Sequence, residues 1–156
     1  MKRKIKREDL LSKAAITDAV TGILSSYDLS TKDAVLNKAF IVYQYYCEME
    51  SGGHESLFKW FGHHIRELGI DTYLDILIGT LEEIGAGNYA MIEKTYCKEL
   101  WNLYVALEKE EIHEDKFYTV IEKATDEYYK LNDSLREMLD TYFVLIYTDI
   151  IEVVED

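Results

Sequence analysis

Any chemistry in this chain has to come from a small set of side chains. Four histidines (His54, His63, His64 and His113) and two cysteines (Cys47 and Cys97) are the residues best able to hold a metal or move a proton. His63 and Glu67 are four apart, so they share a helix face. Glu110 and His113 form one Glu-x-x-His, whereas a di-iron bundle uses two such motifs and two further glutamates. The His-Glu-x-x-His of a zinc protease is absent. The cysteines stand far apart, each within a helical pattern, which fits neither a disulfide framework nor a zinc site. Both are expected to be reduced thiols, with burial raising the pKa of Cys47 and blunting it as a nucleophile. There is no Gly-x-Ser-x-Gly elbow. Gly85-x-Gly87 lacks both the preceding strand and the following Lys-Ser/Thr of a phosphate loop. Glu82-Glu83 and Glu110-Glu111 are sequence neighbours, which a helix turns about 100° apart, so neither pair is an acid/base dyad. These residues predict no enzyme, no metal site and no cofactor. One small-ligand or enzymatic alternative stays open: a pocket around His54, Trp60, His63 and His64, beside a tight turn at Gly52-Gly53.

The elements that carry these side chains read as helices. Apolar residues recur at helical spacing almost throughout. Ile16, Val20 and Ile23 mark a first helix over about residues 8–26, and Ser30 or Thr31 can cap the next. Val35, Ala39, Val42, Tyr46 and Met49 form one face of that second helix, and Phe40, Tyr43 and Cys47 add another. Two apolar faces place it in the middle of a bundle. Gly52-Gly53 ends it, and a shorter helix follows from about His54 to Leu68. Asp71 can cap the next, with Leu74, Leu77, Leu81 and Ile84 on its face. Later faces are Tyr89–Ile92–Tyr96–Leu100–Leu103–Leu107, then Phe117–Val120–Ala124–Tyr128–Leu131. The last is Leu135–Leu139–Tyr142–Ile146–Ile150–Val153. The chain has no proline, and no segment of useful length alternates at strand period. The expectation is an all-α fold, a compact single-domain bundle of about seven helices over residues 8–156. It follows a basic N-terminal tail, residues 1–7, whose order the sequence leaves open. The 13 tyrosines fall mostly on the apolar faces and are read as core, though tyrosine also suits interfaces.

Charge narrows the partners. Residues 1–13 carry a net +4, residues 14–100 a net −7 and residues 101–156 a net −10, for −13 in all. Such a body repels nucleic acid and anionic lipid and attracts basic protein. The longest apolar run, Tyr142 to Tyr147, is six residues, where a membrane span needs about 20. No signal-peptide pattern follows the basic start, so a cytoplasmic location is expected. Lys109, Lys116, Lys123 and Lys130 recur every seven residues and partly neutralise the neighbouring acids, Asp126 being four from Lys130. From Asp133 onward there are seven acids and one base. Asp133, Glu137 and Asp140 are spaced to line one face, about 5–6 Å apart, close to the phosphate spacing of a nucleic-acid strand. These three, with Glu122 and Asp126, are the candidate partner-binding residues.

Two motifs then carry a family resemblance. A helix ends in Glu48-Met-Glu50-Ser51-Gly52-Gly53, followed by His-Glu-Ser-Leu-Phe58-Lys-Trp60. A later helix ends in Leu81-Glu-Glu-Ile-Gly-Ala86, followed by Tyr89-Ala-Met-Ile92. Residues 42–92 resemble the core of a bacterial family of domains of unknown function, one branch of which is a DNA-mimic protein. Its pattern has Asn where Ser51 stands and Gln where Ser56 stands, so a family site built on those two side chains is in doubt here. The motif loop Glu50, Ser51, Gly52, Gly53 and Phe58 is the part of that site this chain can supply. The resemblance implies an all-α fold, no catalytic chemistry and, for one branch, a protein partner that normally binds DNA.

The leading expectation is therefore a non-enzymatic acidic interaction protein that binds a basic protein and, in its sharper form, a mimic of DNA that occupies the DNA-binding face of a transcription factor. It would bind neither nucleic acid nor membrane. An immunity- or antitoxin-like protein that neutralises a basic toxin fits the same composition.

Overall fold

A computed structural model describes residues 2–29, 33–131 and 134–155. The order is β1 (Arg3–Lys6), a 3-10 turn (Arg7–Leu10), α1 (Lys13–Leu24), α2 (Ala34–Leu68), α3 (Ile70–Glu83), α4 (Gly87–Glu108), α5 (Glu114–Lys130), α6 (Leu135–Ile150) and β2 (Ile151–Val154). The all-α expectation holds, with six helices rather than seven. The difference lies at Gly52-Gly53: the two helices expected on either side are arms of one bent element, α2.

Caps fix where the helices start. Ser12 Oγ accepts the Ala15 amide at 3.0 Å to open α1, and Asp33 Oδ1 accepts the Leu36 amide at 3.1 Å to open α2. Ser30 and Thr31, the expected caps of α2, lie outside the described residues. Gly69, at φ 86°, ends α2 and begins α3, a left-handed position that glycine fills without a Cβ clash. Asp71 makes no cap there; it pairs with Lys98 at 2.9 Å instead.

The buried side chains follow the sequence faces: Val20 and Leu24 from α1, Tyr73, Leu77 and Leu81 from α3, Phe117, Ala124 and Tyr128 from α5, and Leu139 and Phe143 from α6. Helix α2 is central. Its partners are α3, α6, α5 and α1, and α4 packs against both α3 and α5. Tyr45, Tyr73, Tyr89, Tyr128 and Tyr142 are core residues, in line with the reading of the tyrosines.

Both ends of the helical run depart from expectation. The first helix starts at Lys13 rather than near residue 8, and the basic N-terminal segment, whose order the sequence left open, forms a strand: Arg3–Lys6 pairs in parallel with Ile151–Val154, Arg3 opposite Ile151 and Lys6 opposite Val154. The last helix stops at Ile150, so Val153 belongs to a strand. β-branched Ile151, Val153 and Val154 favour the extended chain, and Arg7 pairs with Glu155 just past the ladder. Neither four-residue strand is long enough to announce itself by alternation. No helix among the described residues is long and apolar enough to cross a membrane.

Candidate functional site

The Gly52-Gly53 bend organises the polar interior. Gly53 sits at φ 72°, ψ −157°, a region that residues with a Cβ avoid. A Cβ there would lie 2.7 Å from Thr125 Cγ2, so α5 closes tightly over the bend. The bend turns the second arm of α2 so that His54 enters the core.

There His54 Nε2 lies 2.8 and 3.0 Å from the two carboxylate oxygens of Glu93. Both side chains are fully buried. The Tyr45 hydroxyl donates to Glu93 Oε2 at 2.7 Å, and the Cys97 thiol is buried one helical turn along α4 from the same carboxylate. On the other side, His54 Nδ1 is 3.3 Å from Thr125 Oγ1. One network thus ties both arms of α2 to α4 and α5. A buried carboxylate is costly unless its oxygens are satisfied, and Tyr45 and His54 both reach these. Burial and the adjacent Glu93 carboxylate push the Tyr45 hydroxyl and the Cys97 thiol well above their ordinary pKa values, so both stay protonated.

Two further contacts hold the bend. Ser56 Oγ donates to Glu48 Oε2 at 2.6 Å, linking the two arms across it. The Tyr129 hydroxyl donates to the Met49 carbonyl at 2.9 Å. The residue four beyond Met49 is Gly53, whose non-helical backbone interrupts the ladder, so the tyrosine takes up a carbonyl the bend would orphan. Ser51 is exposed at the turn, as is Glu50. Phe58 is buried against Trp101 and Tyr104, with ring centroids 5.5 and 5.4 Å away.

Outside the bend is an acidic cleft of about 240 Å³, lined by Gly52, Glu55, Tyr118, Glu122, Thr125 and Asp126 among others. The structure here brings Gly52 of the motif loop together with two of the partner-binding candidates, Glu122 and Asp126. Glu55 accepts the Tyr118 hydroxyl at 3.0 Å. Among the described residues Glu122 and Asp126 form no ion pair, and the expected Asp126–Lys130 pair is not made. Thr125 lies between this cleft and His54. The remaining candidates are elsewhere: Glu137 is exposed on α6, Asp140 is held by Arg136 Nε at 3.0 Å, and Asp133 lies outside the described residues.

The histidine pocket is not assembled. His54 is in the core, Trp60 is 63% exposed beside Lys59, and His63 is exposed. His64 packs on Phe40 and Phe61, its ring 4.7 Å from that of Phe61. The His54–Glu93 pair has the composition of an acid/base dyad, but it is walled off, and a general base must reach its substrate. Among the described residues no three metal-ligating side chains gather. The expected raised pKa of Cys47 is found, with burial as its main cause. Reading the sequence missed Glu93, Tyr45 and Thr125, while Cys97, read as an inert thiol, is buried. A signal was present: Tyr89, Glu93, Cys97 and Trp101 step by four down one face of α4, and a lone carboxylate in that column needs a buried partner.

The fold and site define an all-α bundle bent around a sealed His–Glu pair, with an acidic cleft above it. The chain belongs to the DMP19-like protein family, whose sequence profile matches residues 33–146. That span contains the bend, the buried pair and the cleft. No curated protein and no solved structure gives a significant match.

Proposed function

We propose that this protein is a non-enzymatic interaction protein that presents carboxylates to a basic, DNA-binding protein and so stands in for DNA. The observation that carries the reading is the cleft at the bend, where Glu55, Glu122 and Asp126 face solvent without a neutralising cation among the described residues. Helical rise separates Glu122 from Asp126 by about 6 Å along α5, a spacing that a run of arginines or lysines can meet. Asp115 extends the same face one heptad earlier. The net charge of −13 would speed the encounter with a basic surface and make it salt-sensitive. Family membership supports the reading through the DNA-mimic branch that the motifs resemble. The rigid base beneath the cleft suits such a role, because preorganised carboxylates lose little freedom on binding.

The test is capture from native lysate on the immobilised protein, with elution in salt steps and a competing arm containing DNA duplex. A DNA-binding protein released by moderate salt, and displaced by duplex, is the expected result. The triple variant Glu55→Gln, Glu122→Gln, Asp126→Asn should lose it while keeping its helical content. Capture that ignores salt, or that the triple variant retains, would sink the proposal.

A further inference from the structure

The sheet formed by β1 and β2 has two strands, so each turns one edge away from the other. About half of the N–H and C=O groups of β1 face away from β2. Among the described residues Arg3, Lys4 and Ile5 make no further backbone hydrogen bond there. Apart from β2, the element packed most closely on β1 is the 3-10 turn that follows it in sequence.

The chemistry of this edge is distinctive in so acidic a chain. Arg3, Lys4 and Lys6 are exposed, and only Ile5 is half-buried. The strand it already pairs with reads Ile-Glu-Val-Val, with Lys4 opposite Glu152 and the Arg7–Glu155 ion pair just beyond. β1 thus already accepts, on one side, a strand that mixes apolar and acidic residues. Arg3 and Lys4 make no ion pair among the described residues. Beside the start of β1 lies a cleft of about 450 Å³. Ile23, Tyr27 and Ile150 line it, with Lys2 and Arg3 from the strand and Asp28 and Asp33 from the helical side.

We propose that the outer edge of β1 is a strand-addition site for an acidic extended segment of a partner protein, in which acidic and apolar residues are interspersed. Main-chain hydrogen bonds would supply the ladder, and Arg3 and Lys4 would select the sign of charge. Pairing of β1 with β1 of a second copy sets like charges opposite one another, which disfavours that occupant. Edge lysines blunt indiscriminate pairing in general; here they leave acidic strands as the class not refused.

The probe is a synthetic peptide Asp-Ile-Ile-Glu-Val-Val-Glu-Asp, which copies residues 149–156, titrated into the isotope-labelled full chain. Amide shifts at residues 3–6 are expected. A control with every acid replaced by lysine should give none. Arg3→Glu with Lys4→Glu should weaken binding several-fold. Because that variant also disturbs the existing ladder, the decisive comparison is on the peptide: N-methylation of alternate amides, which leaves charge unchanged, should abolish binding in one of the two registers. Four results overturn the proposal: no shift at residues 3–6; shifts showing that the peptide displaces β2; binding indifferent to N-methylation; or shifts from a short oligonucleotide but not from the peptide. Self-association that the peptide does not compete away would assign the edge to a second copy and overturn it too.

Discussion

Replacing Gly53 by alanine tests the bend most directly. Two costs add. The backbone at φ 72°, ψ −157° is nearly exclusive to glycine, a strain of about 1–3 kcal/mol for any residue with a Cβ. The new Cβ would also sit 2.7 Å from Thr125 Cγ2 and 2.9 Å from Thr125 Oγ1, and overpacking of this kind costs about 1–3 kcal/mol. Together they predict a loss of about 4 kcal/mol, which for a domain of this size lowers Tm by roughly 10 °C. Thermal unfolding followed by far-UV circular dichroism measures it. Thr125→Ser separates the two costs, since it removes Cγ2 and keeps the hydroxyl near His54. The double variant should therefore recover part of the loss, leaving the backbone strain and the close contact with the retained hydroxyl. Gly52→Ala should cost less, because its φ of −164° is open to any residue and its Cβ would meet only Ser56 Cβ at 3.0 Å. Gly53→Ala within about 1 kcal/mol of wild type, or a double variant no better than the single, would refute the idea that the bend depends on glycine against α5.

Other consequences can be measured alongside. His54→Ala leaves Glu93 buried without its main partner and should cost about 3–5 kcal/mol by chemical denaturation; a smaller cost would mean that the remaining donors suffice. Burial, then the neighbouring His63, holds the His64 imidazole below its ordinary 6.5. The unfolded chain therefore takes up that proton first, so this contribution is present above about pH 6.5 and is lost as pH falls through the folded value. His64→Asn should flatten that part of the stability–pH curve, and an unchanged slope would remove His64 as its source. Burial raises the pKa of both thiols, most strongly Cys97. Cys97 should resist alkylation in the native protein and react once denatured, which mass spectrometry of the labelled protein would settle.

Much of the scaffold was legible because helical spacing over long stretches is a strong signal. The column Leu74–Leu77–Leu81 reads directly as the buried face of α3. The bend was legible as an interruption, since Gly52-Gly53 marks a break whether the chain stops or turns. That it turns within one helix depends on what lies opposite, namely Thr125, some 70 residues away in sequence. The site was legible in fragments. Glu122 and Asp126 stood out by charge and the Gly-Gly loop by motif, but only packing of α5 on α2 sets them around one cleft. His54 was read with its sequence neighbours His63 and His64, whereas burial gives it to Glu93. The strands escaped because four residues supply two side chains per face, too few to establish a period.

The parallel pairing of β1 with β2 makes the fold a closed circuit. The bridging Arg7–Glu155 contact spans 148 positions, so the ladder can form only after the helices between have brought its strands together. Such long-range closure is entropically unrewarded until the rest is in place, so the clasp should be the last element to form. Its direction matters mechanically as well. Force drawing β1 backward from Arg3 and β2 forward from Val154 runs along the strands in opposite senses and loads the short ladder in shear, all bonds at once, rather than unzipping it pair by pair. The same clasp shields the start of α1 and the end of α6 from fraying, because neither helix can unwind outward without first shearing the ladder.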